Sequence, residues 1–113
     1  MKILFKEMND TVLEHFQGGE GRFVPKMFND GTNKILRGRL EPGCSIGMHT
    51  HNGSSETIFV LSGEGKMYLR DGGVETLLPG DCHYCPEGEG HSFRNESDTD
   101  LIFWAVVPTH TKA

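Results

Sequence analysis

The sequence predicts an all-β domain, a sandwich or barrel of short strands with little helix. Three observations predict it. Fifteen glycines and five prolines in 113 residues cut the chain into short pieces, and such punctuation favours strands over helices. Between the breaks lie seven or eight short apolar or β-branched runs, spaced by roughly 8–12 residues as in a sandwich or barrel. Finally, only residues 9–16 could make a helical turn or two before Gly18-Gly19 stops them.

The elements follow in order. Residues 1–22 carry the weakest pattern and stand as an N-terminal segment before a single domain over residues 23–113. Residues 23–28 read as a strand followed by Asn29-Asp30-Gly31, a hairpin signal. Pro25 cannot donate to a ladder, so that strand belongs at an edge. Residues 34–40 end at Glu41-Pro42-Gly43, and residues 57–61 end at Ser62-Gly63. Residues 66–69 run into Asp71-Gly72-Gly73, residues 74–78 into Pro79-Gly80, and residues 82–85 into Pro86. A nearly continuous apolar run over 101–107 ends at Pro108. No linker, repeat or low-complexity stretch interrupts the pattern.

Composition excludes several classes of function. With 35% hydrophobic and 24% charged residues the chain is ordinary for a soluble domain. A net charge of -5 and the lack of any Lys/Arg cluster argue against nucleic acid as a partner. No apolar run approaches the roughly 20 residues of a membrane span. The N-terminus meets charge after three apolar residues, too few for a secretory signal, so a cytoplasmic location is expected. Cys44, Cys82 and Cys85 are odd in number, which argues against a disulfide framework. Cys82 and Cys85 have CxxC spacing but neither a βαβ context nor a second pair, and they read as strand cysteines without a joint role.

The chemistry concentrates in His49-Thr50-His51. Residues two apart on a strand share a face, so both imidazoles can enter one cavity. The turn-forming run Asn52-Gly53-Ser54-Ser55 lets the chain reverse and bring Glu56 beside them. His91 follows a second glycine-rich turn, Glu87-Gly88-Glu89-Gly90. Three imidazoles and one carboxylate suit one divalent transition-metal ion: Mn, Fe, Co, Ni, Cu or Zn. Four such ligands on an octahedral ion leave two positions open. An HxH pair alone reads first as a surface feature; the glycines and prolines around it decide otherwise.

Taken together, Gly43-x5-His49-x-His51-x4-Glu56-x6-Gly63 resembles the first motif of the cupin superfamily. Gly80-x5-Pro86-x-Gly88-x2-His91-x3-Asn95 resembles the second. The intervening segment is short, as in small bacterial cupins. The resemblance implies a double-stranded β-helix, or jelly-roll barrel, with metal held by His49, His51, Glu56 and His91. It implies positive φ or close backbone approach at Gly43, Gly63, Gly80 and Gly88, a strand end at Pro86 and a structural role for Asn95. It also implies a homodimer, paired through N-terminal strands such as residues 23–28, with the 1–22 segment part of the interface.

Alternation places Cys82 and Tyr84 on one face of their strand and His83 and Cys85 on the other. Whichever pair faces the cavity offers a catalytic group: Tyr84 as acid or hydrogen-bond donor, or His83. Tyr84 reads more readily as a barrel-wall aromatic with its hydroxyl tied to a neighbour. Arg37 and Arg39 share a face and either clamp an anionic substrate or lie on a solvated exterior. Met48, Met67, Phe59, Phe103 and Trp104 read as core or wall; His15 and His110 carry no assigned role, and Ser54 and Ser55 no nucleophile motif.

Two functions fit. One is a metal-dependent enzyme acting on a small polar, carboxylate or sugar-like molecule, of dioxygenase, decarboxylase, isomerase or lyase type. The other is a non-catalytic binding or sensor protein for a small sugar or carboxylate. A purely structural metal fits least, because structural zinc sites are usually closed and cysteine-rich.

Overall fold

A computed structural model describes residues 1–110, and the predicted domain's last residues, 111–113, lie outside the described part. Eleven strands run in chain order: β1 (Leu13–Glu14), β2 (Arg22–Phe23), β3 (Lys26–Asn29), β4 (Asn33–Leu40), β5 (Ser45–Thr50), β6 (Glu56–Ser62), β7 (Gly65–Leu69), β8 (Val74–Leu77), β9 (Cys82–Cys85), β10 (Gly90–Arg94) and β11 (Leu101–Pro108). They form a 7-stranded sheet in the order β1-β2-β4-β11-β6-β9, with β3 also on β4, and a 4-stranded sheet in the order β5-β10-β7-β8. Every pairing is antiparallel. The fold is the jelly roll that the sequence predicts.

The two sheets enclose the core, and side-chain alternation builds it. On β4, Leu36, Gly38 and Leu40 point inward, facing Ala105, Phe103 and Leu101 across the ladder. Ile58 and Val60 of β6 extend this inner face, while Ile46, Met67, Leu77 and Phe93 supply the other sheet's half. Phe103 lies between Phe23, stacked at 5.9 Å, and Phe93, edge-on at 5.0 Å. Gly38 makes room for them: a Cβ there would stand 2.6 Å from the Phe103 ring and 2.8 Å from Phe23.

Glycine positions match the expectation from the motifs. Gly43, Gly63, Gly80 and Gly88 have φ of 81°, 85°, 92° and 88°, in the left-handed region where other residues are strained. Pro86 follows the last residue of β9. Asn95 is fully engaged: Nδ2 donates to Leu40 O (2.7 Å) and Thr99 O (2.8 Å), and Oδ1 accepts from Ser97 N (3.0 Å) and Ser97 Oγ (2.7 Å).

Several expectations need correction. Residues 9–15 are not helical, and only Phe16 of the expected stretch enters a helical turn: β1 pairs with β2, and the helical turns nearby are short 3₁₀ segments at Phe5–Glu7 and Phe16–Gly18. Pairing with β2 satisfies that backbone, which has no apolar helical face to bury. The strand expected over 23–28 divides at Pro25 into β2 and β3. Val24 still exchanges two 3.1 Å hydrogen bonds with Arg39, but Pro25 has no N–H to continue the ladder. The strand β10 was hidden by the glycine turn before it. Met48 and Phe59 lie outside the core, at 37% and 47% exposure, whereas Met67 and Phe103 are buried as expected.

Candidate metal centre

Three elements bring the four residues together. His49 stands directly opposite His91 on the β5–β10 ladder. His51, just past β5, is clasped by the second-motif turn: its N–H donates to Glu89 O (3.0 Å), and Gly88 N–H donates to its carbonyl (2.7 Å). Glu56 opens β6 on the other sheet, opposite Cys85. The turn between His51 and Glu56 is tied down from the C-terminal side, where His110 N–H donates to Gly53 O (2.8 Å) and its ring lies 2.8 Å from Ser55 Oγ.

The donor atoms of His49, His51, Glu56 and His91 all lie within 4.8 Å of one another. His51 Nε2 is 3.1 Å from both Glu56 Oε1 and His91 Nε2, and His91 Nε2 is 2.9 Å from Glu56 Oε1. An octahedral ion with bonds of about 2.1 Å has cis edges of about 3.0 Å, against about 3.4 Å for a tetrahedron. The spacings among His51, Glu56 and His91 match the shorter of these edges.

Tautomers strengthen the fit. His49 Nδ1–H must donate to the Gly47 carbonyl (2.8 Å), which only accepts, so its Nε2 carries a lone pair. His91 Nδ1 meets His83 Nε2 at 3.0 Å, and His83 Nδ1 meets Glu75 Oε1 at 2.6 Å. With neutral rings, the carboxylate makes His83 Nδ1 the donor and Nε2 the acceptor, so His91 donates from Nδ1 and keeps a lone pair on Nε2. His51 Nδ1 has Ser54 Oγ at 3.1 Å. The lone pairs of His91 Nε2 and Glu56 Oε1 therefore meet at 2.9 Å, and that of His51 Nε2 joins them at 3.1 Å when His51 Nδ1–H donates to Ser54 Oγ, an arrangement that calls for a cation between them.

Electrostatics agree. Burial pushes His49 below the ordinary histidine range, outweighing its bond to Gly47 and favouring the neutral ligand form. At Glu56 burial alone would raise the carboxyl, but in the metal-free protein hydrogen bonds and charge from His51 and His91, when these rings carry a proton on Nε2, override it and hold the group down to about 2. Burial, with the charges of Glu56 and Glu89, pushes the Cys85 thiol up to about 11. Cys85 is thus a poor thiolate ligand beside the site.

A cavity of about 290 Å³ opens onto His49, His51 and Glu56, walled by apolar groups including Phe23, Leu36 and Phe103. Lys34 is the one lysine or arginine in its wall among the described residues, and Gln17 also lines it. Gln17 is held at φ 55°, left-handed for a non-glycine residue, a strain of about 1–3 kcal/mol. Its carbonyl presses on Gly47, where any Cβ would collide with it.

The other predicted residues scatter. On β9, His83 and Cys85 turn inward and Cys82 and Tyr84 outward, with Tyr84 58% exposed on the exterior. Tyr84 therefore does not reach the cluster. His83 is only 5% exposed and stands behind His91, outside the cavity lining. Arg37 and Arg39 are on the outer face of β4, opposite Trp104 and Ile102, and Arg39 lies 3.8 Å from Asp10. Cys82 and Cys85 are free thiols on opposite faces. Sequence reasoning missed Lys34, Gln17 and Glu75. Lys34 shares the parity of Leu36 and Leu40, which was a legible signal; Glu75 meets His83 across two sheet edges, and no local pattern announces that.

Comparison with known proteins accords with this arrangement. The family model described as "Cupin domain" matches residues 36–107. An oxalate-binding protein of Thermotoga maritima is 30% identical over 114 residues, 95% of this chain and 93% of the relative. A Thermotoga maritima crystal structure, described as a predicted oxalate decarboxylase, superposes with a TM-score of 0.89 at 29% identity, covering 96% of this chain and 99% of that one. A sugar phosphate isomerase of Silicibacter pomeroyi shares the fold, with a TM-score of 0.77 at 24% identity over 98% of this chain and 76% of that one. The chain belongs to the cupin domain family.

Proposed function

We propose that this protein holds one divalent transition-metal ion on His49, His51, Glu56 and His91 and uses it to bind a small carboxylate, oxalate being the first to test. The observation that carries this reading is the convergence of ring nitrogens of His51 and His91 and a carboxylate oxygen of Glu56 within 3.1 Å at one end of a small cavity. A bound ion would act as a Lewis acid toward a carboxylate oxygen. The chain's residues do the rest. Phe23, Leu36 and Phe103 exclude water from one side of the cavity, which strengthens the electrostatic interactions inside it. Lys34 supplies a compensating charge for a second carboxylate, and Gln17 an amide donor. A cavity of about 290 Å³ selects against large ligands. The oxalate-binding relative supports this choice.

Turnover is the second reading, favoured by the structural neighbour described as a predicted oxalate decarboxylase. Against it, neither predicted catalytic group faces the cavity: Tyr84 is on the exterior and His83 behind His91. Calorimetry of metal-loaded protein with oxalate, followed by assay for formate and carbon dioxide, decides. Binding without product supports a binding protein, product formation an enzyme, and no heat of binding with any small carboxylate rejects both.

A homodimer fits the outer face of the large sheet, where Phe59, Leu61 and Tyr84 cluster on β6 and β9 at 47%, 49% and 58% exposure. Burying such a face against a second copy removes apolar area from water. A monomer in sedimentation at micromolar concentration would reject this pairing.

A further inference from the structure

We infer that Glu75 and His83 are positioning residues for the metal ligand His91. This rests on the metal-binding reading and adds a function for a hydrogen-bonded chain that the cavity does not use. The chain runs from Glu75 Oε1 to His83 Nδ1 (2.6 Å) and from His83 Nε2 to His91 Nδ1 (3.0 Å). The His83 and His91 rings are 5.2 Å apart and tilted by 30°. Both are almost fully buried, so neither finds an alternative partner in water. The carboxylate orders the two tautomers in series and leaves His91 Nε2 as a lone pair aimed at the cluster.

The placement is specific. His83 lies on β9, the edge of the large sheet, and Glu75 on β8, the edge of the small one. Glu75 stands opposite the buried Met67, so its side chain belongs to the inner face despite partial exposure at the rim. The contact therefore spans the gap between the sheets and ends on a ligand. A ligating histidine held at its second nitrogen keeps its ring orientation and gains basicity, and loss of such a partner typically costs 10–100-fold in metal affinity. A bridge that merely joined two sheet edges would need neither the His91 contact nor a fixed tautomer.

The test is Co(II) binding to metal-stripped protein, measured by chelator competition and by the cobalt absorption spectrum, for wild type, Glu75→Gln, His83→Leu and His83→Gln. Melting of each metal-free protein is recorded alongside. The expected result is a 10–100-fold loss of Co(II) affinity with an altered spectrum in His83→Leu. A smaller loss is expected in Glu75→Gln, with substantial recovery in His83→Gln, whose amide oxygen still accepts from His91. Glu75→Gln lies at the surface and tests the relay even where His83→Leu does not fold. Wild-type affinity and spectrum in both Glu75→Gln and His83→Leu, or in Glu75→Gln alone if the other is unfolded, would overturn the inference while leaving the metal site standing. Failure of wild type to bind Co(II) would reject the metal reading itself.

Discussion

His91 faces His49 across one rung of the β5–β10 ladder, with ring centroids 4.8 Å apart. That register joins the two sequence motifs into one site, so stability and metal binding should be linked through it. A ligand that binds only the folded state stabilises it by about 2.7 kcal/mol at a hundredfold excess over Kd. For a domain of this size that raises Tm by roughly 10 °C. Scanning calorimetry with metal and with chelator should show this difference in wild type and none in His91→Ala. A wild-type Tm indifferent to metal would contradict the linkage.

Acid should weaken the metal-free protein through Glu56. Its folded carboxyl is held down to about 2 against 4.5 for the ordinary group, by the bonds and charge of His51 and His91 acting against burial. A lowered folded value means that the contribution is complete above 4.5 and is lost as pH falls from 4.5 toward 2. The loss is on the order of 3 kcal/mol. Urea midpoints of wild type across that window should fall more steeply than those of Glu56→Gln; parallel curves would reject the assignment.

The cysteines should differ in reactivity. Cys82 is exposed on the outer face of β9, while Cys85 is buried and its thiol is pushed up to about 11 by burial and by Glu56 and Glu89. Thiolate is the reactive form. Mass spectrometry after alkylation at neutral pH should find Cys82 modified and Cys85 intact until unfolding. Equal modification of both in the folded protein would show that β9 is not oriented as described.

Asn95 should matter for stability without touching the site. Replacing it with alanine removes donors to Leu40 O, which is buried, and to Thr99 O, which is part-buried. An unsatisfied buried polar group costs about 1–3 kcal/mol. Chemical denaturation of Asn95→Ala should show a loss of that size with metal affinity preserved, and a loss under 0.5 kcal/mol would contradict the role, being within the ordinary range of surface substitutions.

The legible parts of this protein were those written in local sequence. The shared face of the HxH pair follows from strand alternation, whereas the positive-φ glycines, Pro86 as a strand end and the grouping of Glu56 and His91 with that pair were carried by the resemblance of the two motifs, and the structure brings the four residues together. Alternation on β9 divided the strand into the right pairs but left open which pair faced inward, because a period of two has no sign. That is settled by packing of β9 at the sheet edge, which turns His83 in and Tyr84 out. The same gap misled the reading of Phe59 and Met48, apolar residues on an outer face. At the N-terminus, β1 forms through pairing with β2 rather than any propensity of its own, and β2 and β3 separate because Pro25 interrupts the ladder. Glu75 was invisible for a further reason: its partner lies on another sheet.

The most direct test of the central claim is metal content. Plasma mass spectrometry on tag-free wild-type protein and on the His51→Ala/His91→Ala double variant should return one equivalent of a transition metal in the first and none in the second. No metal in wild type, even after reconstitution with each candidate ion, or equal metal in both proteins, would contradict the account.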